Sequence, residues 1–585
     1  MTQQDSFDVT TLRGRRADRR WNRLAVGDIL ERVRSSAPDK LALVAREGAC
    51  ASARFRRMTY READEAANQV AHALLDRGLN PGDRVLLYCD NSIEAIVLMF
   101  GVAKAGMVAV PVNPLLAPDV LRWVIGHVDV AFAVVDGEYI ERVNGDLDEA
   151  GVGIGVVIPV GGQGLGGVDT FDAWISRYSV EPPEIEVHAD DIWSLLFTSG
   201  TTAMPKASMT SHTYSYMAGF SYAMSLTRGL KFETNFVMCT FLPIVFHCGH
   251  NSTLLPALLS GGTMVLGRRP DPRGLADAIT EHGVTAVWAG SPAWVQALAD
   301  AALDDPTNLD LSTLTVAMFS WGAMNPTMEN DLRRACGTQV ALLEVFGQTE
   351  SMSCFRFWPE MHPSKFAQTF DGVNYVGVPN PMLGADIVDI DGVSLRGKAS
   401  VPGEAVYRSP VITAGYYRDE ESTREAFRDG WFHSGDSCMY DDDGLQIMVD
   451  RFKDIVKSGG ENVSSLRVEG VLAAHPDVVR AAVIGLPDDK WGERVTGVVT
   501  VKAGVIPDAA SLIAYARERL ASYEAPKQIV VVDAMPETVG GKILKYKLRQ
   551  RLSGAGNAGK SGSESGDDDL RGVGGAIDRI HGDAT

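Results

Sequence analysis

Cysteine is sparse in this 585-residue chain: seven, at positions 50, 89, 239, 248, 336, 354 and 438. They are odd in number and contain no CxxC pair, which argues against a disulfide framework and for incidental thiols in a reducing compartment. Long hydrophobic runs are lacking too, and none has the length of a membrane span. The basic stretch around Arg13, Arg15, Arg16, Arg19 and Arg20 is followed by no apolar segment, so neither a signal peptide nor a twin-arginine signal is read there. Positive charge is in deficit. The 55 basic against 75 acidic residues give −20, which argues against a general nucleic-acid-binding surface. No internal repeat is found, and the Walker A spacing G-x-x-x-x-G-K-[ST] is absent. What remains is a cytoplasmic, globular, non-membrane protein. Any polyphosphate ligand must bind in a locally positive pocket set against an unfavourable overall field.

Hydrophobic residues make up 45% and charged residues 22%, and the length calls for two or more domains. Strand-like and helix-like segments alternate through the first 450 residues. Strands are expected at 83–89, 108–112 and 131–135, with helices at 93–104 and 117–127. The pattern resumes with strands at 236–241, 263–266, 285–288, 315–319 and 340–345 and a helix at 250–259. Such alternation predicts wound α/β layers with ligands at strand ends. From about Asp450 a shorter unit follows, with helices at 464–475 and 509–520 and strands at 478–485 and 495–501. It reads as a small α+β domain. Beyond Ser553 the chain is Gly/Ser/Asp-rich and is expected to be a disordered, solvated tail.

One loop stands out. Thr198, Ser199, Gly200, Thr201, Thr202 and Lys206 follow the apolar run Ile192 to Phe197. Backbone N–H groups, hydroxyls and an ammonium suit polyphosphate oxygens, although an ordinary Ser/Thr/Gly turn has the same composition. Four more segments follow in order: Glu344-Val-Phe-Gly-Gln-Thr-Glu350, Trp431-Phe-His-Ser-Gly-Asp436, Val449 to Val463 with its Arg-Phe-Lys-Asp and Gly-Gly-Glu-Asn-Val, and Pro536 to Lys545 with Gly-Lys-Ile-Leu-Lys. Each alone could be a turn or a solvated helix end. Together, in this order, they resemble the motifs of the adenylate-forming superfamily of acyl-CoA synthetases, luciferases and peptide-synthetase adenylation domains. The resemblance runs from about Leu41 to Leu552 and includes Val376-Gly-Val-Pro379, Gly403-Glu404 and Gly415-Tyr-Tyr417.

The resemblance implies a fold and a set of roles. The fold is α/β: a large N-terminal multi-layer domain (41–449) after an extension (1–40), a hinge (450–453) with Lys453 at its pivot, a small mobile C-terminal α+β domain (454–552) and the tail (553–585). Thr198 to Thr202 and Lys206 would hold ATP phosphates, with Phe346 and Gly347 at adenine and Thr349 at a phosphate oxygen. Asp436 would bind the ribose hydroxyls, Arg451 the ribose and phosphate, and Glu350 Mg²⁺. Lys542 would be the catalytic lysine of adenylation, while Gly459, Gly460 and Glu461 would line the coenzyme A tunnel. Phe346 stands where tyrosine is commoner, Ala203 and Ala207 replace glycines of the phosphate loop, and Glu524 replaces a lysine.

The implied reaction joins a carboxylic acid to ATP as an acyl-adenylate and passes the acyl group to coenzyme A. The stretch Phe241-Leu-Pro-Ile-Val-Phe-His-Cys-Gly249 carries no carboxylate, which disfavours an α-amino acid because its ammonium would lack a partner. An apolar acid is expected, fatty, aryl or alicyclic. His247 either lines the carboxylate entrance, as a catalytic residue, or is a packed core histidine. Trp288, Trp321 and Gly322 are expected pocket walls, with Trp321 either shaping the pocket or packing outward. Rival readings are an acyl-AMP ligase loading a carrier protein and a non-catalytic acyl or nucleotide sensor. The assembly state is open, a homodimer included.

Overall fold

The structure, a computed structural model, describes residues 23–198, 204–227, 236–337, 340–488, 490–505, 508–538 and 541–557. Two largely parallel sheets form the large domain. Strands Arg84–Tyr88, Val108–Pro111, Phe132–Asp136 and Val156–Ile158 are near-continuous apolar runs, as suits strands covered on both faces. With Asp169–Thr170, β1 (Ile192–Phe197) and β2 (Ala207–Ser211) they make a seven-stranded sheet, parallel except for the β1–β2 hairpin. Phe197 faces Ala207 across that hairpin, so 198–206 is its loop. Helix α1 (His212–Leu226) follows at once, capped by Ser211 Oγ, which accepts from Tyr214 N at 3.1 Å.

The second sheet has fourteen strands. Leu41–Ala45, Thr263–Leu266, Val237–Thr240, β3 (Ala286–Gly290), β4 (Val316–Phe319) and β5 (Ala341–Gln348) lie side by side in parallel. Then the direction changes. β6 (Ser351–Phe357) folds back antiparallel on β5, and Asn374–Pro379 links it to the hairpin of β7 (Trp431–Tyr440) and β8 (Gln446–Arg451). Between the two sheets runs the helix Ile93–Lys104, apolar all round and buried along its whole length, with Ser92 as its cap. Arg268 also ties the sheets, donating at 2.8 Å to Asp136 at the end of a strand in the other sheet.

The expected parallel units are present, with ends shifted by up to three residues. The antiparallel extension is what the alternation did not disclose. Trp431 to Asp436, readable as a Gly-Asp turn, is strand, with Gly435 at φ +73° bending it. The helix expected at 250–259 is interrupted: His250–Leu254 is a π turn before Leu255–Leu259, where Pro256 has no N–H to give the preceding turn.

In the small domain, α2 (Ser465–Ala473) and the helix Ala509–Arg517 cover a five-stranded sheet that includes β9 (Val478–Asp488) and β10 (Gly492–Val501). Its last helix, α3 (Lys545–Asn557), continues past 552, where the sequence periodicity fades. The small domain seats on the large one through Asp450, whose Oδ2 accepts from Ser465 N (2.6 Å) and Ser465 Oγ (2.7 Å). Beside that contact Gly470 meets Gly372 so closely that a Cβ on Gly470 would stand 2.5 Å from the Gly372 Cα. At the other end of the chain, Arg23 and Asp28 form a buried pair and Val26 N donates to His212 Nδ1, so 23–40 packs as part of the large domain.

Candidate active site

The loop expected to hold phosphates is closed at its base. Thr198 N donates to Lys206 O (2.9 Å) and Lys206 N to Thr198 Oγ1 (3.1 Å). Ser199, Gly200, Thr201 and Thr202, with Ala203, lie outside the described residues. The Lys206 ammonium sits 4.7 Å from the centre of the Tyr416 ring. That tyrosine reaches on to the next motif, its hydroxyl donating to Glu350 Oε1 at 2.8 Å. The Glu350 backbone is held as well, its carbonyl accepting from Thr413 N at 2.7 Å. One tyrosine thus joins the loop lysine to the carboxylate expected to meet a metal.

Phe346, Gly347 and Thr349 lie where β5 ends and turns towards β6, and none of the three is buried. Phe346 leans on Phe355 with ring centres 6.2 Å apart. Across the sheet, Asp436 of β7 faces Arg451 of β8, and Arg451 Nε lies 3.3 Å from Asp436 Oδ1. Asp436 is 2% exposed, and burial raises its carboxyl even though Arg451 and Lys542 both act to lower it.

Lys542 comes to this cluster from the small domain. Burial, then the charges of Arg451 and Lys453, pull its ammonium down to about 7. Its turn is braced locally: Thr538 N donates to Lys542 O (2.8 Å) and Lys542 N to Thr538 Oγ1 (3.2 Å). The preceding Gly541 has φ +86° and lies directly on the large domain. A Cβ there would stand 2.6 Å from Ser291 Oγ and 3.0 Å from Trp294. Only glycine allows both the conformation and the approach. Three residues on, Lys545 is locked by Glu469 (2.7 Å) and Ser465 Oγ (2.6 Å).

The residues expected at the acid are held differently. Trp288 lies in the middle of β3 at 2% exposure, and the Trp321 ring packs on it with centres 5.8 Å apart. Trp321 therefore faces inward. It holds φ +67°, a conformation that costs a bulky residue about 1–2 kcal/mol. A Cβ on Gly322 beside it would meet only Pro292, at 3.7 Å. His247 is buried at 6% exposure, and both ring nitrogens are engaged: Nδ1 with Asn251 Nδ2 (2.9 Å) and Nε2 with the Tyr214 hydroxyl (2.6 Å). Burial, then His250, push its pKa well below 6.5, so the ring is neutral. The Tyr214 hydroxyl also donates to Thr349 O at 3.4 Å, which links the histidine to the turn after β5.

Comparison with known proteins agrees with this geometry. Residues 30–417 match the AMP-binding enzyme family, and residues 467–542 match the AMP-binding enzyme C-terminal domain. The chain belongs to the AMP-binding enzymes. The feruloyl-CoA synthase of an Amycolatopsis species is 31% identical over 85% of this chain and 94% of its own. The long-chain-fatty-acid–CoA ligase FadD13 of Mycobacterium tuberculosis is 28% identical over 85% of this chain and 93% of its own. ATP-bound MatB from Rhodopseudomonas palustris is similar in structure, with a TM-score of 0.77 and 25% identity over 90% of this chain and 99% of its own. The family and these relatives make the chain an AMP-forming acid–thiol ligase, with a mixed α/β architecture of a large domain and a smaller C-terminal one.

Not every expected residue of this AMP-binding enzyme converges. Gly459 (φ +63°) and Gly460 (φ +88°) form the two-residue turn of a hairpin closed by Ser458 and Glu461. That turn rests on the small domain's own Trp491: Gly459 N donates to Trp491 O at 2.7 Å, and a Cβ on Gly459 would stand 3.0 Å from the indole. Gly459, Gly460 and Glu461 are exposed, as is Lys453. Tyr416, Tyr214, Asn251, Ser291 and Trp294 were not expected at the site. Tyr416 had a signal in the Gly-Tyr-Tyr segment. The others are ordinary residues that only folding brings to the motifs. Among the described residues no group of three or more His, Cys, Asp or Glu could hold a metal. A lone carboxylate at Glu350 suits Mg²⁺, which binds through one or two carboxylates together with substrate phosphates.

Proposed function

We propose that this enzyme activates an apolar carboxylic acid with Mg·ATP and transfers it to coenzyme A. The carboxylate attacks the α-phosphorus, giving acyl-AMP and pyrophosphate; the coenzyme A thiol then attacks the acyl carbon and expels AMP. The observation that carries this reading is Lys542, delivered by Gly541 across the domain boundary to the Asp436–Arg451 pair. A cation placed there orients the acid and offsets charge developing on the α-phosphate. In this reading Asp436 holds the ribose hydroxyls, Arg451 the adjoining phosphate, Phe346 the adenine face, and the Thr198–Lys206 loop the outer phosphates. Glu350 would hold Mg²⁺, which neutralises phosphate charge when bound. The neutral His247 positions Tyr214 and the Thr349 turn rather than exchanging protons.

Trp288 and Trp321 favour a fatty, aryl or alicyclic acid. For the second half-reaction the small domain turns about Lys453, so that the Gly459–Glu461 hairpin replaces Lys542 and admits the pantetheine arm. A supply of ATP and coenzyme A places the enzyme in the cytoplasm. Mass spectrometry of products from a carboxylic-acid panel with Mg·ATP, with and without coenzyme A, tests the reading. Acyl-CoA with AMP is expected. Acyl-AMP that accumulates despite coenzyme A would transfer the acceptor role to a carrier protein, and absence of AMP with every acid would leave a sensor.

A further inference from the structure

Arg356 lies on β6, opposite Val345 of β5, and its side chain reaches α1. Nη1 donates to Ser225 Oγ, and Nη2 donates to Ser221 O (3.0 Å) and Ser221 Oγ (2.6 Å). Ser221 is fixed in turn by Asn380, and the Tyr222 ring lies 5.2 Å from the guanidinium carbon. A guanidinium has five N–H donors and is always charged near neutrality. Here all three hydrogen bonds go to neutral oxygens, and Nε is buried with no acceptor.

The contrast with other enclosed arginines is plain. Arg23 is paired with Asp28, and Arg268 with Asp136 and Glu138. Among the described residues no carboxylate forms an ion pair with Arg356, and burial pulls it down to about 10. The C-terminal end of α1 contributes some negative potential, but it supplies nothing to Nε. Yet the residue is not close-packed: like Lys542 it is enclosed while keeping part of its surface accessible. A cation that keeps part of its surface accessible and has no carboxylate partner among the described residues is suited to receive an anion.

Its position relative to the reacting centre is set by α1. Tyr214, Ala218, Ser221 and Ser225 share one helical face. At its start the Tyr214 hydroxyl touches the Thr349 carbonyl, and at its far end Ser221 and Ser225 hold Arg356. Seven to eleven residues of helix separate them, about 10–16 Å at the rise of an α-helix. We propose that Arg356 binds a second anionic group on the acid substrate, so that the preferred acid has an apolar body with a carboxylate at its far end. This rests on the synthetase reading above. A carboxylate there gains a charge-assisted bond from the N–H of the guanidinium that the serines leave unused, and a mono-acid leaves the guanidinium uncompensated.

The test compares decanedioic with decanoic acid, in wild type, Arg356→Met and Arg356→Lys, by AMP release and by thermal shift. The diacid is expected to have a KM about 10–100-fold below that of the mono-acid in wild type. Arg356→Met should abolish that preference while leaving decanoate kcat/KM within about twofold, and Arg356→Lys should restore part of it. The diacid should also raise Tm in wild type and not in Arg356→Met, a readout that needs no turnover. Equal treatment of both acids by wild type, or equal loss for both in Arg356→Met, overturns the proposal. Activation of decanoate alone would leave the synthetase reading standing, whereas diacid binding without AMP release would do the reverse.

Discussion

At the proposed nucleotide end of the site, Lys206, Glu350, Asp436, Arg451 and Lys542 come from five separate stretches of chain, and fixed contacts such as Tyr416–Glu350 and Arg451–Asp436 tie several of them together. At the proposed acid end, Trp288, Trp321 and a neutral His247 present rings and packed hydrogen bonds, and Arg356, proposed for its far side, has no ion-pair partner among the described residues. One end is specified by charge and the other by shape. The first suits a cofactor that is always the same. The second leaves an acid to be chosen by the space between two indoles and by whatever answers Arg356.

Removing Lys542 should separate the two ends most sharply. Lys542→Ala is expected to lower adenylate formation by at least 10²–10³-fold, while thiolysis of supplied acyl-AMP stays near wild type. Gly541→Ala should imitate it without touching the lysine, since a methyl group there meets Ser291 and Trp294 and dislodges the loop. Single-turnover assays of each half-reaction decide. Equal loss of both would mean that Lys542 does not belong to the nucleotide end alone.

The same division explains what the sequence could disclose. Charged residues in glycine-rich motifs are legible because few arrangements of Gly, Lys and Asp serve chemistry, so Lys206, Asp436, Arg451 and Lys542 announce themselves by order and spacing. Parallel strands such as Arg84–Tyr88 are legible because burial on both faces leaves continuous apolar runs. The antiparallel extension is harder to see. β7 shows no clean alternation around Gly435, since Asp436, Ser437 and Cys438 are buried in a row, and it contains the residues of a turn. Tyr214 and Asn251 carry no motif, and their place beside His247 comes from tertiary packing alone. The inward direction of Trp321 depends on a left-handed backbone that no periodicity reports.

That tryptophan tests the shape half of the comparison. Trp321→Gly removes the ring from Trp288 and leaves a residue at ease at φ +67°. The relative kcat/KM for bulky over small acids should rise by about 10–200-fold, with the KM for ATP unchanged. Relief of about 1–2 kcal/mol of backbone strain offsets much of the lost ring contact, so Tm should move little. An unchanged acid profile would show that Trp321 only packs, and that shape is set elsewhere.

The pH dependence tests the charge half. Lys542 is protonated below about 7 in the free enzyme and loses its proton above it. If the ammonium is the active form, kcat/KM for adenylation should fall about tenfold per pH unit above 7, since that ratio reports the free enzyme. Bound phosphates favour the charged form, so kcat should hold to higher pH. The alkaline limb should be missing from the residual activity of Lys542→Ala. A profile flat in kcat/KM from pH 7 to 9 would mean that the lysine stays charged without nucleotide.

The smallest expected effect falls on the link within the nucleotide end. Tyr416→Phe keeps the ring under Lys206 but deletes the hydroxyl that donates to Glu350 Oε1. The carboxylate then loses the bond that aims it, and the Mg²⁺ concentration for half-maximal rate should rise about tenfold. At saturating Mg²⁺ kcat should recover to near wild type, because the carboxylate itself is intact and the phosphates still bring the metal. Acid preference should not change, because the hydroxyl's partner is Glu350 and neither tryptophan. A shift in acid preference without a shift in Mg²⁺ dependence would place Tyr416 at the other end of the site, and the separation of charge from shape would fail at the residue that joins Lys206 to Glu350.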